Sequence, residues 1–238
     1  MKLDVLPVVG KIHASKLMNT TVIVVDVLRG TSCMITGIKN GALKIIPTSD
    51  AGEAASFVAR LGSRDNLLAG ETGGLKIPGF DMGNSPLEYT EEKVKGRTII
   101  MSTTNGTTAV CAVSAAELIY IGALMNASAV AKKAFESGRD ILIACAGTDG
   151  KMSADDILAA GAIAEEILKL SDGVVVEQSD TARICRWVYK GYVDGRVDIE
   201  DSFHYARLNK LGFQEDLRVC FERDTTDVVP EYKNGIIQ

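Results

Sequence analysis

Four acidic residues stand where a strand passes into a loop or a loop into a helix, and their carboxylates are suited to binding a cation. Asp26 and Glu71 each directly follow a predicted apolar strand. Asp155 and Asp156 open a predicted helix that comes after the loop 147–150. In open α/β sheets the carboxyl ends of parallel strands form one ligand-binding edge, so these carboxylates are expected to converge there. All-oxygen ligation favours Mg²⁺, and the four residues are therefore predicted metal ligands.

The pair Asp155 and Asp156 has a simpler explanation as well. Acidic side chains in the first helical turn interact favourably with the helix dipole, and Ser153 can cap the same helix. This explanation does not extend to Asp26 and Glu71, because each of them follows a hydrophobic strand and does not open a helix.

A hydroxyl-rich loop, residues 102–108, provides a second set of candidates. It follows a predicted strand and precedes a predicted helix, so its hydroxyls and free backbone N–H groups would lie at a helix N-terminus, where anions bind. The equivalent loop at 29–32 adds Arg29, which can hold an anion through two parallel hydrogen bonds. The alternative is a helix cap made of threonine and asparagine. The predicted anion ligands in the two loops are Arg29, Gly30, Thr31, Thr103, Thr104, Asn105, Gly106 and Thr107.

The two loops belong to an internal repeat. Residues 22–74 and 98–150 follow the same order of strands and helices without a gap, at an offset of 76 residues, the difference between positions 106 and 30. In this alignment Gly30 falls on Gly106, and the copies differ most in the loop before these glycines, where only the first copy carries Asp26. The sequence therefore predicts two diverged, pseudo-symmetric halves that build an asymmetric site.

Short runs rich in Val, Ile and Leu predict buried strands, and Ala-rich stretches with helical spacing lie between them. Their alternation predicts a mostly parallel, mixed sheet covered by helices on both faces, a three-layer α/β/α fold. The strands are predicted at 21–25, 43–47, 66–69, 98–101, 118–121, 141–145 and 173–176. The helices are predicted at 31–40, 52–61, 107–116, 127–137 and 154–169.

Two regions interrupt this alternation. Residues 70–93 are dense in Gly, Pro, Asn and acidic side chains and are too long for an ordinary connector, which indicates a functional loop. Residues 181–211 are predicted to be helical, and 213–238 to form a short strand and an extended tail. No low-complexity linker is present, so residues 1–238 are expected to form a single domain.

The composition argues against several classes of protein. The 238 residues carry a net charge of −5 and contain no basic run interleaved with aromatics, so nucleic acid is not an expected partner. No apolar stretch approaches the ~18 to 20 residues of a membrane span, and the first residues do not resemble a signal peptide. Five cysteines without a CxxC pair fit reduced thiols, which predicts a cytoplasmic protein. Trp187 and its aromatic neighbours offer a subunit contact, so a homo-oligomer is left open.

Known phosphate chemistries can be compared with the motifs of this chain. A G-x-x-x-x-G-K-[ST] loop is absent, and no cysteine has the arginine spacing of a cysteine phosphatase. The chain has two histidines, His13 and His204; a histidine nucleophile is not expected, although His204 could act as an acid. The run 26–30 is similar to the haloacid-dehalogenase loop, but Leu28 occupies the place of the second acid.

Several segments together resemble the signature blocks of the 2-phosphosulfolactate phosphatase family. They are residues 24–32, 70–71, 79–88, 103–107, 153–156 and 159–161, and they are spread over nearly the whole chain. The resemblance implies a magnesium-dependent phosphatase with an α/β/α fold that hydrolyses (2R)-phospho-3-sulfolactate to sulfolactate, a step of coenzyme M biosynthesis. One departure is that Asp155-Asp156 stands where the family pattern has Glu-Asp. The shorter side chain could shift a metal ligand by about one methylene.

This resemblance gives the candidate residues specific roles. The substrate carries a phosphate and a sulfonate, which would explain two anion-binding loops. Mg²⁺ held by Asp26, Glu71 and one member of the pair 155–156 would polarise a phosphoryl oxygen and activate a water molecule. Arg29 and the loop 103–107 would stabilise the charge that develops on the transferred group. Asp26, Arg29 and Glu71 are thus the predicted catalytic residues, and either water or Asp26 itself is the attacking group.

The role of one further residue and two alternative functions are left open. Asn84 is predicted to orient the sulfonate or the carboxylate. One alternative function is a phosphatase for another small phosphorylated acid, because a few loop residues set specificity. Another is a non-catalytic anion-binding protein, although such a protein would gain nothing from four nearby carboxylates without a metal.

Overall fold

The computed structural model describes residues 1–10, 12–61 and 65–238. Its strands are β1 (Lys2–Leu6), β2 (Thr20–Val25), β3 (Lys44–Pro47), β4 (Asn66–Thr72), β5 (Leu75–Lys76), β6 (Thr98–Ser102), β7 (Leu118–Gly122), β8 (Asp140–Cys145), β9 (Glu177–Gln178), β10 (Tyr232–Lys233) and β11 (Ile236–Ile237). Its α-helices are α1 (Gly30–Lys39), α2 (Ala51–Leu61), α3 (Glu91–Val94), α4 (Gly106–Ala112), α5 (Ala127–Glu136), α6 (Ala154–Leu170), α7 (Asp180–Val193), α8 (Phe203–Lys210) and α9 (Gln214–Phe221).

The strands divide into two sheets, where the sequence predicted one. The first sheet has the order β7-β2-β8-β1-β9, and all its neighbours are parallel. The second has the order β10-β11-β3-β6-β4-β5, with β3, β6 and β4 parallel at its centre and antiparallel pairs at both edges. The predicted α/β class with mostly parallel strands is confirmed.

The two copies of the repeat exchange their first strands. From the first copy, β2 lies between β7 and β8 of the second, and β6 of the second copy lies between β3 and β4 of the first. The register is equivalent as well: Val25 is opposite Cys145, and Met101 is opposite Ala69. This exchange brings the loops that follow β2 and β6 together, although they are far apart in sequence.

Helices α1 and α4 lie between the two sheets. Val22 and Val24 of β2 and Met101 of β6 belong to one buried cluster with Met34 of α1 and Val110 of α4. The outer face of the first sheet is covered by α5, α6 and α7, and the outer face of the second by α2. Each sheet is therefore the middle of a three-layer α/β/α arrangement, and both arrangements share the layer formed by α1 and α4.

Most predicted elements are found within a few residues, but the predicted strand 173–176 is wrong. That stretch is a turn and an irregular segment, and only the short β9 follows it. Among the strands of four or more residues, the one that the sequence did not reveal is β1, which pairs with β8 and β9. Charged Lys2 and Asp4 alternate there with buried Leu3 and Val5, so β1 lacks the continuous apolar run of the other parallel strands.

The C-terminal predictions also need correction. The predicted helix 181–211 is two helices, because α7 ends before Gly195, whose left-handed φ of 69° does not continue a helix. The predicted strand and tail 213–238 contain α9 and the hairpin of β10 and β11. The predicted loop 70–93 contains the end of β4, the short β5 and the beginning of α3.

Two predictions concern surfaces. No helix within the described ranges is long and apolar enough to cross a membrane.

Trp187 on α7 is 65% exposed. The subunit contact predicted there stays a prediction.

Candidate active site

A polar pocket opens at the carboxyl ends of β2, β4, β6 and β8, where the first residues of α1 and α4 also lie. Acidic, basic and amide side chains line it together with backbone of two glycine-containing turns. The lining residues are Asp26, Leu28, Arg29, Glu71, Gly73, Gly74, Asn84, Thr104, Asn105, Thr148, Asp149, His204, Arg207 and Leu208. The structure thus brings together Asp26, Arg29, Glu71 and Asn84, as the sequence predicted, and adds residues from α8.

The Asp26 carboxylate lies between the two repeated glycines. Gly30 and Gly106 are the first residues of α1 and α4, and a Cβ atom built on either would lie 2.4 Å from Asp26 Oδ2. The absence of a side chain at both positions therefore creates the space that the carboxylate occupies. The repeat supplies this space symmetrically, whereas the carboxylate itself comes from the first copy alone.

Asp26 is only 3% exposed, and this burial shifts its ionisation. Burial raises the pKa of Asp26 to about 7, and the neighbouring Asp155 and Glu71 carboxylates act in the same direction. The positive charges of His204 and Arg29 oppose the rise without cancelling it. A carboxylate held in this way is stabilised by any cation that enters the pocket.

Several predicted anion ligands form hydrogen bonds within their own loops, and their role in binding an anion stays a prediction. Thr31 Oγ1 accepts a hydrogen bond from the Asp26 backbone N–H at 3.0 Å. In the second copy, Thr107 Oγ1 accepts from the Thr103 N–H at 3.1 Å, and Thr103 Oγ1 accepts from the Thr107 N–H at 3.0 Å. These buried hydroxyls close the strand-to-helix turns. From the loop 103–107, the residues that line the pocket are Thr104 and Asn105.

Glu71 connects two turns of the pocket wall. Its Oε2 accepts from the Gly74 N–H at 2.7 Å, and its Oε1 accepts from the Thr104 N–H at 2.8 Å. The carboxylate therefore fixes the turn between β4 and β5 against the loop after β6. Because Glu71 also lines the pocket, its charge faces the ligand space.

Asp156 has a comparable connecting role behind the pocket. Its two oxygens accept from the Val27 N–H and the Gly147 N–H, both at 2.9 Å. Burial raises the pKa of Asp156 well above its usual range, and nearby Asp155 and Asp26 add to the effect. Asp156 thus ties the loop after β2 to the loop after β8, and a metal-binding role for it stays a prediction.

Asp155 lies next to His204. Asp155 Oδ1 accepts from the Ser153 hydroxyl, while Oδ2 is buried without a hydrogen bond from the described residues and lies 3.6 Å from His204 Nδ1. Thr148 Oγ1 also contacts that nitrogen at 3.0 Å. Burial alone would lower the pKa of His204, but the carboxylates of Asp155 and Asp26 outweigh it and raise the pKa. The site therefore favours a protonated histidine.

Arg29 is buried and held on several sides. Its Nη1 donates to Asp216 Oδ2 at 2.5 Å, its Nη2 donates to the Gly74 carbonyl at 2.7 Å, and its guanidinium lies 3.9 Å from the ring centre of Phe213. Asp216 also accepts from the Ser85 hydroxyl at 2.7 Å. Arg29 thus reaches the pocket as a pre-positioned cation whose charge is balanced by Asp216.

Sequence reasoning missed most of the C-terminal contribution. Asp216 lies on α9, in the stretch that the sequence predicts to be a short strand and an extended tail, and Arg207 lies on α8. His204 was considered only as an acid. The signal available was the polar, aromatic character of the segment after residue 181, but a local pattern does not show which of its residues turn inward.

Asn84 was predicted from its loop to orient the substrate, and the structure places it in the pocket wall. The side chain is buried and lines the pocket, yet its Oδ1 has no hydrogen-bond partner within the described part of the chain. A buried polar atom of this kind is costly unless a ligand or water satisfies it.

The four predicted metal ligands do not form a closed cage. Within the described residues, no three His, Cys, Asp or Glu side chains are grouped so that they could hold a metal ion. Mg²⁺, however, is usually bound by one or two carboxylates and completes its coordination with water and substrate phosphate. Asp26 and Glu71, which line the pocket, fit such an open site.

Loss of the Asp216 charge should destabilise the protein. In Asp216→Ala, Arg29 would remain buried without its partner, which costs about 3–5 kcal/mol in the free energy of unfolding. Urea denaturation measures this change. Lys95→Ala removes a solvent-exposed pair with Glu91 and should leave the midpoint unchanged. An Asp216→Ala midpoint equal to that of the wild type would contradict the structural role given to this ion pair.

The sequence of the chain matches a known family and several known proteins. A model of the family described as 2-phosphosulpholactate phosphatase matches residues 7–235. A protein of Caldanaerobacter subterraneus subsp. tengcongensis is 44% identical over 230 residues, which cover 96% of this chain and 94% of that protein. A protein of Clostridium acetobutylicum is 39% identical over the full length of both chains, and one of Clostridium beijerinckii is 37% identical over 100% of this chain and 99% of its own. All three are named "Probable 2-phosphosulfolactate phosphatase".

Proposed function

The chain belongs to the 2-phosphosulfolactate phosphatase family, and we propose that it hydrolyses phosphosulfolactate to sulfolactate and inorganic phosphate. The observation that carries the proposal is the buried Asp26 carboxylate between Gly30 and Gly106, in a pocket shared with Arg29 and His204. A carboxylate, a fixed arginine and a protonated histidine provide the charge and the proton that hydrolysis of a phosphate ester requires.

We assign Mg²⁺ to Asp26 and Glu71, the two predicted ligands that line the pocket. When bound, the ion would polarise a phosphoryl oxygen and offset the charge of the substrate. The three acidic residues of the lining, Asp26, Glu71 and Asp149, would otherwise repel a ligand with several negative charges. A cation in the pocket removes this conflict.

The residues of the chain then have distinct roles in the reaction. Arg29 donates hydrogen bonds to the transferred group, on which charge develops as water attacks phosphorus. The ester P–O bond breaks, and His204 gives its proton to the leaving oxygen of sulfolactate. The proton of the attacking water passes to the phosphate product and from there can restore His204. Asp155 positions His204, and Asp156 keeps the loops around Asp26 in place.

We also propose that this reaction is a step of coenzyme M biosynthesis, as the family resemblance implies, and that it takes place in the cytoplasm, as the five cysteines without a CxxC pair indicate. The alternative is the same chemistry on another small phosphorylated acid.

The decisive experiment is phosphate release from phosphosulfolactate by the purified protein, with Mg²⁺, without added metal, and after EDTA. Turnover that needs Mg²⁺ and exceeds turnover of phospholactate and phosphoglycerate supports the substrate and the cofactor. Preference for one of those other acids supports the alternative phosphatase. No release with any of these substrates, with or without Mg²⁺, would refute the proposed reaction.

The proton-transfer roles predict a bell-shaped pH dependence of kcat/KM. Asp26 acts in its ionised form, and its pKa is raised to about 7 by burial, so activity should rise with pH through this range. His204 acts in its protonated form, and its pKa lies above the ordinary value, so activity should fall at higher pH as the proton is lost. Initial rates at low substrate concentration over a pH series measure both limbs.

Two experiments show which residue causes each limb of the pH profile. Higher Mg²⁺ concentrations should move the acid limb to lower pH, because a cation beside Asp26 favours the carboxylate. His204→Gln should remove the alkaline limb and retain the acid limb. An alkaline limb that persists unchanged in His204→Gln would show that another group supplies the proton.

A further inference from the structure

A second arginine, Arg207 of α8, stands at the mouth of the pocket and is held far less firmly than Arg29. Its Nη1 lies 3.4 Å from Asp149 Oδ2, and the two side chains are 34% and 54% exposed. An ion pair this open to solvent contributes little to stability, so the guanidinium can change partners at small cost. Arg29, in contrast, is paired with the buried Asp216.

Arg29 and Arg207 both lie against the turn formed by Gly73 and Gly74. Arg29 Nη2 donates to the Gly74 carbonyl, and a Cβ atom built on Gly73 would lie 3.6 Å from Arg207 Nη2. Both glycines have left-handed φ angles, 66° and 88°, which let the turn between β4 and β5 lie against both guanidinium groups. The pocket thus carries one buried cation and one partly exposed cation beside the same turn, which suits a ligand with two separate anionic groups.

We propose that Arg207 determines specificity by binding the sulfonate of the substrate while Arg29 and Asp26 act at the phosphoryl end. This inference rests on the proposed function, which supplies a substrate with both groups. A sulfonate presents tetrahedrally arranged oxygens, and the planar guanidinium can bind two of them in parallel. Arg207 is partly exposed, as expected for a residue that binds the sulfonate, because the sulfolactate product must leave through the mouth of the pocket.

Arg207→Ala, Arg207→Lys and a matched control, Lys210→Ala, test the proposal. Lys210 is an exposed cation on the same helix, so its loss reports the general effect of one positive charge. Kinetics are measured on phosphosulfolactate and on phospholactate, which keeps the phosphate and the carboxylate but lacks the sulfonate. Arg207→Ala should lower kcat/KM for phosphosulfolactate roughly 10- to 100-fold, mainly through KM, since a charge-assisted contact is lost. The loss on phospholactate should be several-fold smaller.

The control variants sharpen the result. Arg207→Lys should recover part of the lost activity, because it keeps the charge without the planar fork. Lys210→Ala should behave as the wild type on both substrates. Equal losses on both substrates in Arg207→Ala, or no loss on either, would overturn the assignment of the sulfonate to Arg207.

A binding measurement separates this inference from the proposed reaction. Calorimetric titration with sulfolactate and with lactate needs no turnover. Tighter binding of sulfolactate that disappears in Arg207→Ala supports the sulfonate site even if the protein releases no phosphate. Equal affinity of the wild type for sulfolactate and lactate overturns the site even if phosphosulfolactate is hydrolysed.

Discussion

Asp26→Asn is expected to lower kcat on phosphosulfolactate by roughly 10²-fold or more, because it removes the charge at the centre of the pocket without changing the size of the side chain. The neutral amide can no longer hold a cation as a carboxylate does. Without that cation, the negative charge of the substrate's phosphate would not be offset. Phosphate-release assays at saturating Mg²⁺ measure the loss. Asp172→Asn, a substitution at an exposed aspartate, is the control and should keep full activity.

The same substitution should not weaken the fold. The folded-state pKa of Asp26 is raised to about 7 from an ordinary value of 3.8, so its contribution to stability is present at low pH and is lost as pH rises through about 7. Asp26→Asn removes this dependence. Without metal and above pH 7, the variant should therefore melt at the same temperature as the wild type or higher. Near-full activity, or a large loss of stability at alkaline pH, would contradict the role given to Asp26.

Gly106→Ala and Gly30→Ala are expected to lower activity roughly 10²-fold each, because the added methyl group would lie 2.4 Å from Asp26 Oδ2. Neither glycine has a left-handed φ, so alanine is compatible with the backbone. The closest approach of the new methyl group is to the Asp26 carboxylate in both variants, and the next contacts are much longer, at 3.3 Å from Thr103 Oγ1 for Gly106→Ala and 3.4 Å from Gly106 Cα for Gly30→Ala. A displacement of about 1 Å in a reacting group is enough for such a loss. Steady-state kinetics, together with circular dichroism to confirm folding, measure the effect.

The two glycine variants test the repeat as well as the site. Because Gly30 and Gly106 are equivalent in the two copies, the two variants should have similar effects on kcat. Gly10→Ala is a suitable control, since among the described residues, its two chain neighbours aside, no atom lies within 4 Å of a Cβ atom built there. Full activity in both Gly30→Ala and Gly106→Ala would mean that the Asp26 carboxylate can move without consequence, which would argue against its central role.

The sequence by itself determined the local elements and the chemical character of the pocket. Apolar runs between turn residues predicted β2, β6 and β8 within one or two residues, because burial of short parallel strands leaves a strong local pattern. The repeat marked Gly30 and Gly106 as equivalent. Asp26 and Glu71 follow predicted strands, and this position predicted that both line a ligand site, since ligands in such folds bind beyond the carboxyl ends of strands.

The tertiary structure decided which sheet each strand joins and what each polar group does there. The exchange of β2 and β6 depends on free energy summed over many non-local contacts, and no local pattern records that sum. Asp26 and Asp156 are the same residue type, yet one faces the pocket while the other accepts two backbone hydrogen bonds. His204, Arg207 and Asp216 reach the site from helices distant in sequence. Their positions in the site result from packing, which brings residues together according to shape and burial and not according to their order in the chain.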